Sequence, residues 1–314
     1  VAPLVSLARA LGLPWADQRV FGAIGSKSAV KALIRSADPG IRLNAVAGVT
    51  DAEDTIRWAR DTGVARFVLK PDDGSGNRGV AFFDAEPIDE AALREYFAAN
   101  PRRILAEEYI GGAEYWVNGQ CDSAGAPLVT AMGVYDRRSL NGKENIEVGS
   151  RTIPRSHPAA PALAEYAIRV VAALGLRRSP FHLEAKVDEQ GPCLIEVGTR
   201  LCGERMVATD SWQFGTDLIA LAVSDYVSAG RTKNPPLDRE RYDSLRIVSV
   251  GPPADMPEPS SKAGNSRFSS RSMWRAMRAR KTPDSLCSFA QSASRAASAA
   301  RWNVASQIAW SFIM

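Results

Sequence analysis

Histidine and cysteine are scarce in this chain, with two and four copies among 314 residues. Cys121, Cys193, Cys202 and Cys287 show no paired spacing. That excludes a Cys/His zinc motif and leaves buried, reduced thiols in a cytoplasmic protein as the expectation. No apolar run reaches the roughly 18 residues of a membrane-spanning helix, so no membrane partner is expected. The first residues carry no charged segment followed by an apolar one, so no secretory signal is expected either. The phosphate-binding pattern GxxxxGK[ST] is also missing. The net charge of +4 says little about the body, because residues 253–314 hold nine Lys and Arg against three Asp and Glu.

What is present is an ordinary globular composition, 45% hydrophobic and 24% charged, over residues 1 to about 252. Asp51 is placed to cap a helix over 52–62 that Gly63 ends. Further helices are expected over 28–37, 89–99, 159–174 and 209–229. Strands are expected over 42–47, 66–70, 80–83, 103–110, 114–121 and 127–135, and a polar loop over 137–156. Strands mixed with helices at this spacing indicate an α+β fold. Residues 253–314, with thirteen serines mixed into Arg and Ala, read as a basic disordered tail or as a segment out of its original reading frame.

The richest stretch is 181–200, FHLEAKVDEQGPCLIEVGTR, which reads as two strands and a tight turn. With a three-residue loop at Glu189, Gln190 and Gly191, Glu184 and Glu196 fall directly opposite each other, about 4.5–5.5 Å apart at Cβ. Two like charges at that spacing call for a cation between them, and Mg²⁺ takes carboxylate oxygens while leaving room for phosphate. Strand alternation puts His182, Glu184 and Lys186 on one face with Glu196, Gly198 and Arg200. Phe181, Leu183, Ala185, Val187, Ile195 and Val197 fall on the core face. The plainer alternative is an amphipathic hairpin with its polar side in water.

Two other segments carry chemistry. In FVLKPDDGSGNRGV, Lys70 ends a strand and Gly74, Gly76 and Gly79 follow in a loop whose N–H groups can turn around an anion. In LAEEYIGGAEYWV, two strands meet at Gly111-Gly112 with acids at Glu107, Glu108 and Glu114. Exposed main chain at such a bend can bond a flat base, and a carboxylate beside it can accept from ribose hydroxyls. Each segment alone also fits a plain hairpin.

In this order and spacing, K-P-x-x-x-x-G-x-x-G-V at 70–80, E-E-Y-I-x-G-x-E at 107–114, H-x-E at 182–184 and G-P-x-L-I-E-V-x-x-R-x-x-G at 191–203 resemble the ATP-grasp superfamily. The likeness is to its carboxylate–amine ligases, of the L-amino-acid ligase and dapdiamide synthetase type. The resemblance implies two α/β lobes clasping a nucleotide. They would divide as a remnant of an N-terminal domain at 1–26, a small lobe at 27–110, a large lobe with the metal site at 111–252, and the tail.

The resemblance also implies roles for single residues. Lys27 and Lys70 would contact phosphate, and the loop with Gly74, Gly76 and Gly79 would close over it. Glu107, Glu108, Tyr109 and Ile110 would form the adenine hinge, and Glu114 would take the ribose. Glu184 and Glu196 would hold Mg²⁺, or Mn²⁺ in its place. Arg200, Lys70 and His182 would serve catalysis. Where many relatives carry Asn two residues after the second metal glutamate, this chain has Gly198.

The implied activity is ATP-dependent amide formation between a carboxylate and an amine, amino acids being the expected substrates, through an acyl phosphate and with a homodimer as one assembly. Its rivals are an inactive nucleotide-binding remnant, and nucleic-acid binding through Arg271, Arg275, Arg278, Arg280 and Lys281 with Trp274. A solvated basic tail is the stronger reading of that last cluster.

Overall fold

Two antiparallel sheets, each with helices packed against it, organise the described part of the chain. In the computed structural model these residues are 10–12, 18–74, 78–140, 143–227 and 244–248. The chain divides into units of residues 1–275 and 276–314, and every described residue belongs to the first.

Helices α1 (Gln18–Ala23) and α2 (Lys27–Ala37) precede β1 (Val46–Val49), α3 (Ala52–Thr62), β2 (Arg66–Pro71), β3 (Ala81–Asp84), α4 (Glu90–Ala99) and β4 (Ile104–Glu108). These strands form a four-stranded sheet in the order β1-β4-β2-β3. There follow β5 (Ala113–Cys121), β6 (Pro127–Leu140), β7 (Lys143–Thr152), α5 (Ala160–Ala173), β8 (Ser179–Asp188), β9 (Gly191–Gly198), α6 (Glu204–Phe214), α7 (Leu218–Val227) and β10 (Arg246–Val248). The second sheet runs β10-β7-β6-β5-β8-β9.

Local chemistry explains most boundaries. Asp51 accepts from the Asp54 N–H at the start of α3, and Gly63 closes that helix at φ 68°. Asp89 caps α4 in the same way. The small sheet buries Phe67, Leu69, Ile104 and Ala106 against Ile56, Ala59 and Leu93 of its helices. The large sheet buries Val117, Phe181, Leu183 and Leu194 against Leu163, Ala167 and Val170 of α5. Val30 and Ile34 of α2 join that larger core. Full burial of each such side chain stabilises the fold by about 1.5–3 kcal/mol.

Four expectations need correction. The strand placed at 42–47 begins at Val46, pairing Val46 with Glu107. The polar loop at 137–156 is largely a hairpin, because β6 runs on to Leu140 and pairs with β7. Its charged residues alternate along strands, a pattern easily read as loop when both faces are polar. The single helix over 209–229 is two helices that begin earlier, at Glu204, and break at Gly215, whose φ of 71° no helix interior accepts. Strand β10 was not expected, and it pairs Arg246 with Arg151.

The β8–β9 turn is the fourth correction and the most instructive. Asp188 pairs with Gly191, so the loop has two residues, Glu189 and Gln190, and not three. On that register alone Glu184 would face Ile195. A bulge between Glu184 and Ala185 on the pairing path shifts β9 by one residue and restores Glu184 opposite Glu196. The shift also exchanges two neighbours. Leu194 takes the core place opposite Ala185, and Ile195, expected in the core, turns to the other face.

Candidate functional site

The polar face of β8 and β9 looks into a cleft of about 450 Å³ bounded by both sheets. Of the site residues expected from sequence, all but two line it. Gly76 lies outside the described residues. Gly79 stands behind the loop, where its carbonyl accepts from the Tyr96 hydroxyl at 2.6 Å.

At the hairpin, Oε1 of Glu184 accepts from the Tyr135 hydroxyl at 2.7 Å and lies 3.2 Å from Nε2 of His182. Burial alone would raise this carboxyl, but bonds from His182 and Tyr135 and the charge of Arg137 hold it down at about 2. The Glu196 side chain is 42% exposed, and its nearest cation is Lys27 at 3.7 Å. Two carboxyl side chains as cross-strand partners are a hard-oxygen donor set that would fit Mg²⁺, with room left for water and phosphate oxygens. Among the described residues no group of three or more His, Cys, Asp and Glu side chains gathers for a metal. The side chain missing at Gly198 accords with that, because a Cβ there would meet Cγ of Arg200 at 3.3 Å. Arg200 leans over the position that would otherwise offer a third ligand.

Across the cleft, Asp72 ties the loop after β2 to the start of α2. It accepts from the Ser28 N–H at 3.0 Å and from the hydroxyls of Ser26 and Ser28. Lys27 is thereby brought over the loop, where its ammonium donates to the Gly74 carbonyl at 2.6 Å. Lys70 reaches inward to Glu107 at 3.0 Å.

Glu107 is deeply buried, and its Oε2 also takes Lys31 at 2.7 Å and the Asn44 amide at 3.0 Å. Burial opposes its charge, yet Lys31 and Lys70 pull its carboxyl down to about 2. Burial in turn lowers the Lys31 ammonium to about 8 in spite of Glu107. Lys31 and Asn44 were missed in the sequence. Lys31 did leave a trace there, one helical turn after Lys27 on the same face.

The segment 107–110, expected to form the adenine hinge, is held by main chain. The N–H groups of Glu108 and Tyr109 donate to Ala45 and Arg66 carbonyls, and Asn44 donates to the Glu108 carbonyl. The Tyr109 ring carries Arg66 at 4.7 Å and Lys186 at 4.5 Å. Gly112 follows at φ 80°, and a Cβ there would come within 1.9 Å of the Val187 carbonyl oxygen, so the bend docks tightly on β8. Glu114 pairs with Arg137 of β6, and burial still holds its carboxyl above the ordinary value. Arg137 also covers the Tyr135 ring at 4.4 Å. Arg137 was missed because β6 was read as ending at 135, and Tyr135 was read only as the last residue of that strand. Lys186, on the same face of β8 as His182 and Glu184, also lines the cleft.

The chain is similar to several known proteins. A family model described as "ATP-grasp domain" matches residues 64–208. Dapdiamide A synthase of Enterobacter agglomerans is 29% identical over 162 residues, 48% of this chain and 37% of that protein. The chain spans less than half the length of the curated relatives it matches. The crystal structure of an L-amino acid ligase from Bacillus licheniformis superposes with a TM-score of 0.58 at 19% identity, over 76% of this chain and 56% of that one. The biotin carboxylase domain dimer of Hydrogenobacter thermophilus 2-oxoglutarate carboxylase, solved with MgADP, ADP and bicarbonate, gives 0.59 at 18% identity, over 77% and 54%.

Proposed function

This chain carries an ATP-grasp domain, and on that premise we propose that it is an ATP-dependent carboxylate–amine ligase. The observation that carries the reading is the pairing of Glu184 with Glu196 in one cleft with Lys27, Lys70 and Arg200. Likeness to dapdiamide A synthase supports amino-acid-like substrates.

The purine is assigned to the bend at Tyr109 and Ile110. The N–H groups of Glu108 and Tyr109 are already taken, so Ile110 is left to address the base. Glu114 faces the ribose. Lys27, Lys70 and Arg200 bind the phosphates and stabilise charge on the transferred group. Mg²⁺ held by Glu184 and Glu196 would offset the remaining phosphate charge. A carboxylate oxygen of the first substrate attacks the γ-phosphorus, the bond to the β-phosphate oxygen breaks, and ADP leaves. The amine nitrogen of the second then attacks the carbonyl carbon of the acyl phosphate, loses a proton, and expels inorganic phosphate. The loop of Gly74 and Gly79 excludes water. Nε2 of His182 is the ring nitrogen facing the cleft. Cys193 and Cys202, free and buried, support a reducing, cytoplasmic setting.

Incubation with ATP, Mg²⁺ and paired amino acids tests the proposal. Phosphate release that needs both partners is expected, and its absence across a broad panel counts against it. A second reading, nucleotide binding without turnover, is favoured by Gly198, which withdraws a metal ligand. It predicts nucleotide affinity with no acceptor-dependent ADP.

A further inference from the structure

A second cavity, of about 190 Å³, lies where the end of α1 and the start of α2 meet the edge strand β9. It shares Lys27, Gly74, Ile195 and Glu196 with the cleft, and the rest of its wall is its own. Lys27 stands between the two spaces, donating to the Gly74 carbonyl at 2.6 Å and lying 3.7 Å from Glu196. One side of the cavity is aliphatic, built from Ile24, Val30, Leu194, Ile195 and Val197. Ile195 is there because the bulge in the β8–β9 pairing turns it away from the core of the large sheet. A side chain so placed stays wetted unless an apolar group covers it. Pockets for whole ligands hold about 300–1,000 Å³, so this one suits a group of a few carbons.

Charge at the rim selects the polar end of the guest. The two lysines of the cavity are committed, Lys31 to Glu107 and Asn44, and Lys27 to the Gly74 carbonyl. Asp72 is taken by the Ser28 N–H and the hydroxyls of Ser26 and Ser28. Asp73 is exposed, and among the described residues no cation is paired with it. The Glu196 side chain is 42% exposed. The open charge is therefore negative, and it calls for an ammonium.

We propose that this second cavity holds the side chain of the amine substrate, an aliphatic amino acid of valine to leucine size, with its ammonium at the carboxylate rim of Asp73 and Glu196. Glu196 lines both spaces, so a nitrogen held at that rim lies beside the phosphate end of the cleft, next to Lys27 and Glu196. Ile24 and Val30 then set the depth of the pocket and Ile195 its mouth. Assignment to the amine of the reaction rests on the ligase reading, whereas binding of an aliphatic ammonium does not.

Titration of the ¹³C-methyl-isoleucine protein with L-leucinamide, in the presence of Mg²⁺ and a non-hydrolysable ATP analogue, tests the site without turnover. The methyl signals of Ile24 and Ile195 are expected to shift saturably, while that of Ile104, buried in the small sheet, stays in place. Isocaproamide, the same molecule without its ammonium, is expected to bind about fivefold more weakly or worse. Binding that leaves Ile24 and Ile195 unmoved overturns the proposal, as does equal affinity for the two probes or no binding of leucinamide. In ligation against one fixed carboxylate partner, Ile24→Phe is expected to lower kcat/KM for leucine relative to alanine as the amine by roughly 10- to 200-fold. Ile24→Ala moves the preference toward larger side chains, and it carries the test if the Phe variant does not fold. If amides form and neither ratio changes, the pocket assignment fails while the ligase reading stands. If no amide forms with any pair, the ligase reading fails and the methyl titration alone decides the pocket.

Discussion

Two carboxylates in one cleft, the buried Glu107 at the end of β4 and the partly buried Glu184 on β8, are both held down at about 2, but by opposite means. Glu107 is neutralised inside the protein by Lys31 and Lys70, with Asn44 filling in. Glu184 is bonded by His182 and Tyr135 through one oxygen, and its cross-strand neighbour is a second acid, Glu196, with Lys27 only at 3.7 Å. The first arrangement balances its charge inside the protein, through Oε2 alone, since Oε1 of Glu107 has no hydrogen-bond partner among the described residues. The second leaves negative charge turned to the cleft, which the proposed cation would balance. Equal acidity therefore marks different duties, and the partner set tells them apart.

Substitution at the two ends gives the widest separation. Glu196→Gln is expected to abolish substrate-dependent ADP release while leaving the melting temperature nearly unchanged. Normal turnover by that variant would remove the metal assignment. Glu107→Gln leaves two ammonium groups buried without a counter-charge. It is expected to cost about 3–5 kcal/mol in denaturant unfolding, and a loss below about 1 kcal/mol would show the triad to be dispensable.

A smaller effect joins the two ends mechanically. Gly112→Val puts a side chain at positive φ against the Val187 carbonyl, and a loss of roughly 1–3 kcal/mol is expected from calorimetry. Unaltered stability would mean that the bend does not hold the hinge against β8.

Acid unfolding sharpens the same contrast. The folded-state carboxyl of Glu107 lies below its ordinary value of 4.5, so its stabilisation is full above that pH and is lost as pH falls toward about 2. In a stability–pH curve over that window, Glu107→Gln should flatten the descent. An identical slope contradicts the assignment. The smallest effect belongs to Arg66, which forks onto Glu144 of β7 at 2.8 and 2.7 Å. Both side chains are partly exposed, so Arg66→Ala is expected to change stability by no more than about 1 kcal/mol, read from the shift in unfolding midpoint.

Much of this was legible in the chain. Capping residues and alternation located α3, α4, β2 and β5 to within a residue or two, because those signals are local. The lysine–glycine loop, the double-glutamate bend and the Glu184 hairpin were legible because their spacing follows from strand and turn geometry. The extension of β6 was not, since a strand with polar residues on both faces shows no alternation, and β10, at three residues, is too short to show one. Residues 253–314, read as a tail, lie outside the described residues, as does Gly76.

Sequence by itself determined the chemistry on offer: acids at Glu184 and Glu196, lysines at Lys27 and Lys70, and a bend at Gly111-Gly112. Tertiary structure alone decided how that chemistry is divided. The bulge that turns Ile195 outward and keeps the two acids paired arises from a contest between turn length and core burial, which no local pattern records. Likewise Lys31 and Asn44 reach Glu107 across long stretches of chain. Such contacts exist only once apolar burial has brought the helices onto their sheets and excluded the water that would otherwise satisfy each group separately.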